Sequence, residues 1–124
     1  MEKPTVLITG AGIGIGAATA RAFSAAGYRS IVTDVLESDG ASVASGIRSD
    51  SAEAEYHYLD VTDTEAVDSL VSEIQNRYGP LNAVIANAGI ARRVPLEELS
   101  DERWDGLLDV DLKGVMRVCR AGAA

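Results

Sequence analysis

Residues 9–16 read Thr9-Gly10-Ala11-Gly12-Ile13-Gly14-Ile15-Gly16, or TGAGIGIG, with glycine at every second position from Gly10 onward. Two registers fit this spacing: Gly12, Gly14 and Ala17 match GxGxxG/A, while Thr9, Gly10, Gly14 and Gly16 match the wider TGxxxGxG. The neighbouring residues give the stretch its structural meaning. Val6 to Thr9 is a short apolar run that stops at glycine, as a buried strand does. Gly14 to Ala26 is alanine-rich and helical, with Ile15, Ala18, Ala22 and Ala26 on one face, and Gly27 supplies a left-handed C-terminal cap. A glycine loop between a strand and a helix aims backbone N–H groups and the positive helix end at a phosphate.

The strand–helix alternation continues outward from this loop. Arg29 to Asp34, with Ile31 and Val32, predicts a second strand, and Glu37 to Arg48 a weaker helix burdened by Gly40 and Gly46. Glu55 to Asp60 predicts a third strand. In the helix that follows, Thr62 and Glu65 have the spacing of a capping box, Val67, Leu70, Val71, Ile74 and Tyr78 form the inner face, and Gly79-Pro80 is the stop. Leu81 to Ala86 predicts a fourth strand. Ser100 caps a last helical stretch through Trp104, Leu108, Leu112, Val115 and Cys119. Four alternations of this kind predict an α/β fold, a doubly wound parallel sheet with right-handed crossovers, in one domain spanning residues 1–124.

Asp34 ends the second strand about twenty residues after the loop, where a carboxylate can accept hydrogen bonds from both hydroxyls of an adenosine ribose. A 2′-phosphate would meet that carboxylate with no nearby cation, because Ile13 and Val35, where a compensating base would sit, are apolar. NAD is therefore expected over NADP. A Walker-type loop is excluded by the absence of Gly-Lys-Ser/Thr. Asp60 and Val61 follow the third strand, and Asn87, Ala88 and Gly89 the fourth; in a doubly wound sheet both ends flank the same crevice. An aspartate there can accept from the exocyclic amine of adenine, while Asn87 and Gly89 shape a turn or contact the ribose.

Composition narrows the classes. The 124 residues are 47% hydrophobic, enough for one core, and carry a formal charge of −8 from 11 basic and 19 acidic residues. No lysine or arginine cluster interrupts that acidity, so nucleic acid and anionic membranes are not expected partners. Cys119 is the only cysteine, which excludes an intrachain disulfide, predicts a small buried hydrophobe, and offers no metal cluster. Four glycines in the uncharged stretch Pro4 to Ala20 argue against a signal peptide, and the stretch is too polar to span a membrane. A cytoplasmic protein is the expectation.

Together, Thr9, Gly10, Gly14 and Gly16 in TGxxxGxG, Asp34, the Leu59-Asp60-Val61 triplet and Asn87-Ala88-Gly89 resemble the short-chain dehydrogenase/reductase family, in order and spacing, over the whole chain. The resemblance implies a Rossmann-type sheet of order 3-2-1-4 and selects the wider glycine register, with Gly12 an extra. It implies that Gly10 and Ile15 meet the cofactor pyrophosphate and Asp34 the adenosine ribose. Asp60 and Val61 would then surround the adenine, with Asn87 to Gly89 beside the cofactor ribose. The implied activity is hydride transfer between NAD and a secondary alcohol or ketone, in a homo-oligomer associating through the last helix.

Two departures from the family pattern stand out. Its members carry a serine and a YxxxK pair beyond the fifth strand, whereas Tyr28, Tyr56, Tyr58 and Tyr78 are followed four positions later by Val32, Asp60, Thr62 and Asn82. The chain is thus expected to be the cofactor-binding half of a longer protein or a fragment stabilised by association, inactive alone, with the fourth strand left as an apolar edge. The alternative is an NAD-binding module without turnover. In Val110-Asp111-Leu112-Lys113-Gly114, Asp111 stands where the family has asparagine. Its spacing from Leu107 and Val115 puts it near the buried helix side, where a carboxylate has a raised pKa and can relay protons unless a cation pairs with it; a solvated or lysine-paired aspartate is the alternative. The loop Ile90 to Leu99 borders the site, with Arg92 and Arg93 either solvated or facing substrate.

Overall fold

The computed structural model describes residues 3–91 and 93–124. Four parallel strands, β1 (Thr5–Ile8), β2 (Arg29–Asp34), β3 (Ala54–Tyr58) and β4 (Ala83–Ile85), form one sheet of order β3-β2-β1-β4. The register aligns Leu7 with Ile31 and Val84, and Val32 with Tyr56. Val6, Leu7, Ile8, Ile31 and Val32 are fully buried, because helices cover both faces of a parallel sheet and leave neither to water. Each such side chain contributes roughly 1.5–3 kcal/mol of hydrophobic stabilisation.

Consecutive residues of one strand face opposite layers. Val6, Ile8 and Val32 pack with Ala17 and Ala20 of α1 (Gly14–Ala25) and with Val43, Ala44 and Ile47 of α2 (Glu37–Ser49). Leu7 and Ile31 point the other way, toward Val67, Leu70, Val71 and Ile74 of α3 (Thr64–Tyr78) and Val118 and Ala121 of α5 (Gly114–Ala123). Gly40, a burden on α2 by propensity, lies against the ring of Tyr56, where a Cβ would not fit.

Several local expectations are corrected. The buried face of α1 is Gly16, Ala17, Ala20 and Ser24, while Ile15, Ala18, Ala22 and Ala26 are exposed; small residues let the helix sit close on the sheet, which apolar periodicity alone does not reveal. The cap of α3 is Asp63, whose side chain accepts from the Ala66 amide at 3.0 Å, because Thr62 is engaged with Asp60. β2 has the expected bounds, whereas β1 and β3 are shifted or shorter by a residue or two at their ends and β4 keeps only Ala83–Ile85 of the expected Leu81 to Ala86.

The last helical stretch is not one continuous α-helix. Ser100 does cap α4 (Asp101–Leu108), accepting from Arg103 at 3.2 Å, but residues Asp109–Lys113 form a widened π turn before α5. One extra residue per turn rotates everything beyond it. The buried face of α5 therefore becomes Gly114, Arg117, Val118 and Ala121, leaving Cys119 exposed; Trp104 in α4 and Leu112 in the turn are exposed as well. Cys119 is thus not the buried hydrophobe expected. Gly122 brings α5 onto Val84 of β4. Among the described residues β4 pairs only with β1, and no helix is long and apolar enough to cross a membrane.

Candidate cofactor-binding site

The glycine loop leaves the carboxyl end of β1 and is tied to its neighbours through the Thr9 amide on Ile85 O at 3.0 Å and the Ala11 amide on Thr33 O at 2.9 Å. Each of its glycines has a separate physical reason. Gly10 (φ +63°) and Gly14 (φ +57°) adopt the left-handed conformation, which L side chains disfavour. A Cβ at Gly10 would also lie 2.8 Å from Ala88 Cα, and one at Gly16 would lie 2.2 Å from the Gly10 carbonyl oxygen. Gly12 is not an extra: its amide donates to Asp34 Oδ2 at 2.9 Å, and a Cβ there would meet the same oxygen.

α1 begins at the end of this loop. Its N-cap, Ile13, is extended and provides no side-chain acceptor, so no side chain caps the first-turn amides. Those amides and the helix dipole make an anion seat.

Asp34 closes one side. It is 7% exposed, and besides Gly12 it accepts from the Leu36 amide through Oδ1 at 3.0 Å. Each oxygen keeps a further lone pair for a ligand hydroxyl. The phenol of Tyr56 donates to the Asp34 carbonyl at 2.7 Å; burial first, then the charges of Glu37 and Asp34 and the neighbouring Tyr58, push that phenol above its ordinary pKa.

Asn87, Ala88 and Gly89 close the other side. The Asn87 side-chain nitrogen donates to the carbonyls of Thr9 at 3.2 Å and Gly10 at 3.1 Å. Thr9 Oγ1 accepts from the amides of both Asn87 and Ala88 at 3.0 Å. Asn87 is therefore a strut between the first and fourth strand ends as well as a turn former. Thr9, placed in the motif by sequence without a task, is its buried counterpart.

Between these walls lies a crevice of about 620 Å³ lined by Gly10, Ile13 to Ile15, Asp34 to Leu36, Leu59 to Thr62, Asn87 to Ile90 and Val110. The fold thus brings together Gly10, Gly14, Ile15, Asp34, Val35, Asp60, Val61, Asn87, Ala88 and Gly89, all singled out by sequence; Gly16 lies behind the loop, buried against it. Asp60 Oδ1 accepts from the Thr62 amide at 2.9 Å and hydroxyl at 2.7 Å, which fixes its carboxylate at the crevice edge. No lysine or arginine lines the crevice among the described residues.

Asp111 differs from expectation. It is exposed, not on the buried helix side, because the widened turn breaks the spacing from Leu107 to Val115. Nor does it pair with a lysine among the described residues. Its Oδ1 accepts from the Ile90 amide at 2.7 Å and lies 3.2 Å from where a Gly89 Cβ would be. Arg93 is exposed, and Arg92 lies outside the described residues.

Sequence reading missed Arg117, a buried arginine on α5 that donates to Asp109 Oδ1 at 2.7 Å. No local signal marks it, because Asp109 lies in the widened turn and Arg117 in the helix beyond it, so regular helical periodicity does not bring the two together.

Proteins of known identity are similar to this chain in sequence and fold. Cis-4-hydroxycyclohexanecarboxylate dehydrogenase of Sinomonas cyclohexanicum is 40% identical over 111 residues, which are 88% of this chain and 44% of that protein. A gluconate 5-dehydrogenase from Burkholderia cenocepacia J2315, solved with NADP and tartrate, superposes with a TM-score of 0.88 at 33% identity, covering 99% of this chain and 48% of that one. A metagenomic short-chain oxidoreductase solved with NADP gives a TM-score of 0.93 at 29% identity, covering 99% of this chain and 56% of that one. The chain spans about half the length of the relatives it matches. The short chain dehydrogenase family model matches residues 4–124, and the chain belongs to that family.

Proposed function

We propose that this chain is the dinucleotide-binding half of an oxidoreductase that takes NAD in preference to NADP and exchanges hydride with a secondary alcohol or ketone. The observation that carries the reading is Asp34: a carboxylate anchored by two backbone amides at the edge of a crevice that contains no basic side chain among the described residues. Two ribose hydroxyls match its remaining lone pairs. A 2′-phosphate would instead be repelled, by roughly 4 kcal/mol per unit charge at about 4 Å and an effective dielectric near 20. Two of the similar proteins were solved with NADP; the preference for NAD is proposed for this chain from the Asp34 carboxylate and the absence of a basic crevice residue among the described residues.

The crevice suits a dinucleotide on observations of its own. Gly10 and Gly14 present no side chain to the crevice, and the amides of Gly14 to Gly16 would hold the pyrophosphate. Asp60 and Val61 would flank the base, and Asn87 to Gly89 the second ribose. When bound, the nicotinamide ring supplies the hydride acceptor or donor. Ile13, Val35 and Leu36, all exposed, provide apolar cover at the rim. Asp111, whose carboxylate accepts from the Ile90 amide, would orient the segment that borders the crevice.

Proton transfer to substrate needs a group these residues do not supply. Tyr56 and Tyr78 donate their hydroxyls to Asp34 O and Glu55, and no tyrosine has a lysine four residues on. That observation favours a second reading for the chain alone, a binding module without turnover. Association through the exposed apolar side chains Leu112 and Met116, and a cytoplasmic setting, belong to the same proposal.

Calorimetric titration of NAD and NADP into the chain tests the cofactor reading. We expect NAD to bind at least about tenfold more tightly; equal affinity, or tighter NADP, sinks it. Turnover assays with NAD and a panel of secondary alcohols are expected to give none with the chain alone; measurable turnover would overturn the statement that these residues lack the proton-transfer group.

A further inference from the structure

Arg117 sits one turn into α5 with 5% of its surface exposed. Its Nε donates to Thr64 Oγ1 at 3.0 Å, and Nη1 to the carbonyls of Val61 at 3.0 Å and Asp109 at 3.1 Å. Nη2 reaches Asp109 Oδ1 at 2.7 Å. Four of the five N–H directions of the guanidinium are used, on two segments, the β3–α3 connection at Val61 and Thr64 and the widened turn at Asp109.

Those segments meet the crevice from below. Val61 lines it directly, and Asp109 opens the widened turn whose next residue, Val110, lines it too. α5 presses onto the same point: a Cβ at Gly114 would lie 2.7 Å from Val61 Cγ2 and 3.4 Å from the Asp109 carbonyl oxygen. A glycine at the contact and an arginine one turn on thus hold the β3–α3 connection against the turn.

An ion pair with its arginine buried and its aspartate half-exposed is a weak source of stability, since screening on the open side and desolvation on the closed side offset the attraction. What the arginine provides that an apolar side chain cannot is a fixed direction for the Val61 and Asp109 carbonyls. Asp60 is the next residue back along the chain, with its carboxylate set by Thr62.

We infer that Arg117 is a positioning residue for base recognition, holding Val61 and Asp60 at the spacing that distinguishes an adenine from a purine lacking its exocyclic amine. This rests on the dinucleotide reading above. Adenine donates from that amine to a carboxylate, whereas hypoxanthine presents a carbonyl oxygen there, and a site built for one hydrogen-bond pattern rejects the other.

Titration of ADP and IDP into the full chain and its variants tests the inference, because both probes share ribose and pyrophosphate and differ only in the base. Wild type is expected to favour ADP by about tenfold. Arg117→Met is expected to lose most of that preference, while IDP affinity changes by less than about threefold. Arg117→Lys, which keeps the charge without the planar fork, should fall between the two. An unchanged ADP-to-IDP ratio in folded Arg117→Met overturns the inference, as does an equal loss for both nucleotides, which is what general loosening produces. If Arg117→Met fails to fold, Thr64→Val removes one acceptor alone and should narrow the ratio by about twofold to threefold; no narrowing overturns the inference equally. Wild type that binds neither ADP nor NAD refutes the dinucleotide reading itself, a separate outcome from an Arg117 variant with full base preference.

Discussion

The backbone amide of Gly12 donates to Oδ2 of Asp34 at 2.9 Å, joining the first loop to the end of the second strand across 22 residues. The carboxylate proposed to select the cofactor is therefore part of the scaffold that shapes the loop, and the two roles can be separated by substitution.

Asp34→Ala leaves the buried amide of Gly12 and the amide of Leu36 without their acceptor. Each orphaned donor costs about 1–3 kcal/mol when water cannot replace the lost partner, so urea unfolding should show a clear drop in stability. Asp34→Asn keeps one carbonyl acceptor and should lose less. Both should reduce the preference for NAD over NADP. A variant with wild-type stability would contradict the hydrogen-bond account, and one with wild-type selectivity would contradict the ribose account.

The glycines predict graded damage. Gly16→Ala places a methyl 2.2 Å from the Gly10 carbonyl oxygen with Asn87 also in the way, and should cost about 3 kcal/mol or more as the loop is forced off the helix. Gly14→Ala meets no atom within 4 Å but must keep φ at +57°, which costs about 1–2 kcal/mol. Thermal unfolding of the two variants should rank them in that order.

A network at the sheet edge predicts losses at both pH extremes. Burial pushes the Glu55 carboxyl upward, but bonds from Tyr78, His57 and Arg77, with the charge of Arg77, outweigh it and hold it below its ordinary value. A lowered folded value means stability that is present above the unfolded value and lost as pH falls through the folded one, on the acid side of 4.5. Tyr78 is raised, chiefly by its hydrogen bond to Glu55 and then by burial; its contribution is present below the unfolded value and lost as pH climbs through the folded one, above 10.0. Tyr78→Phe should flatten the alkaline limb and weaken the acid limb of a stability-versus-pH curve. Identical curves for the two proteins would exclude the network as the cause.

Asp111 holds the Ile90 amide at 2.7 Å. Amide exchange of Ile90 followed by NMR should quicken in Asp111→Ala by about tenfold and remain protected in Asp111→Asn, whose side-chain carbonyl can still accept. Equal exchange in the alanine and asparagine variants would show that the bond does not order the segment.

Much of this architecture could be read along the chain. Val6 to Ile8 is apolar at every position because parallel strands are covered on both faces, and Gly27 and Gly79 stop helices by adopting positive φ. The strand order β3-β2-β1-β4 is the one the family resemblance implies; right-handed crossovers alone also allow the order 2-1-3-4. Gly10, Asp34, Asp60 and Asn87 converge on one crevice because each lies at or just past a strand's carboxyl end.

Other features had no local signal. The buried face of α1 consists of small side chains whose burial depends on how closely the sheet approaches, so the alanines facing solvent and those facing the core look alike in one dimension. The widened turn at Asp109–Lys113 arises where Arg117 captures a carbonyl and α5 presses on Val61, and it moves Asp111 and Cys119 to the surface. Sequence by itself determined what local backbone preference and residue polarity specify: the alternation of elements, the glycine loop and the acidic strand end. Tertiary structure alone decided the helix phase beyond Leu108, the tie from Gly12 to Asp34 and the burial of Arg117, because each results from contact between segments whose separation along the chain conceals their proximity.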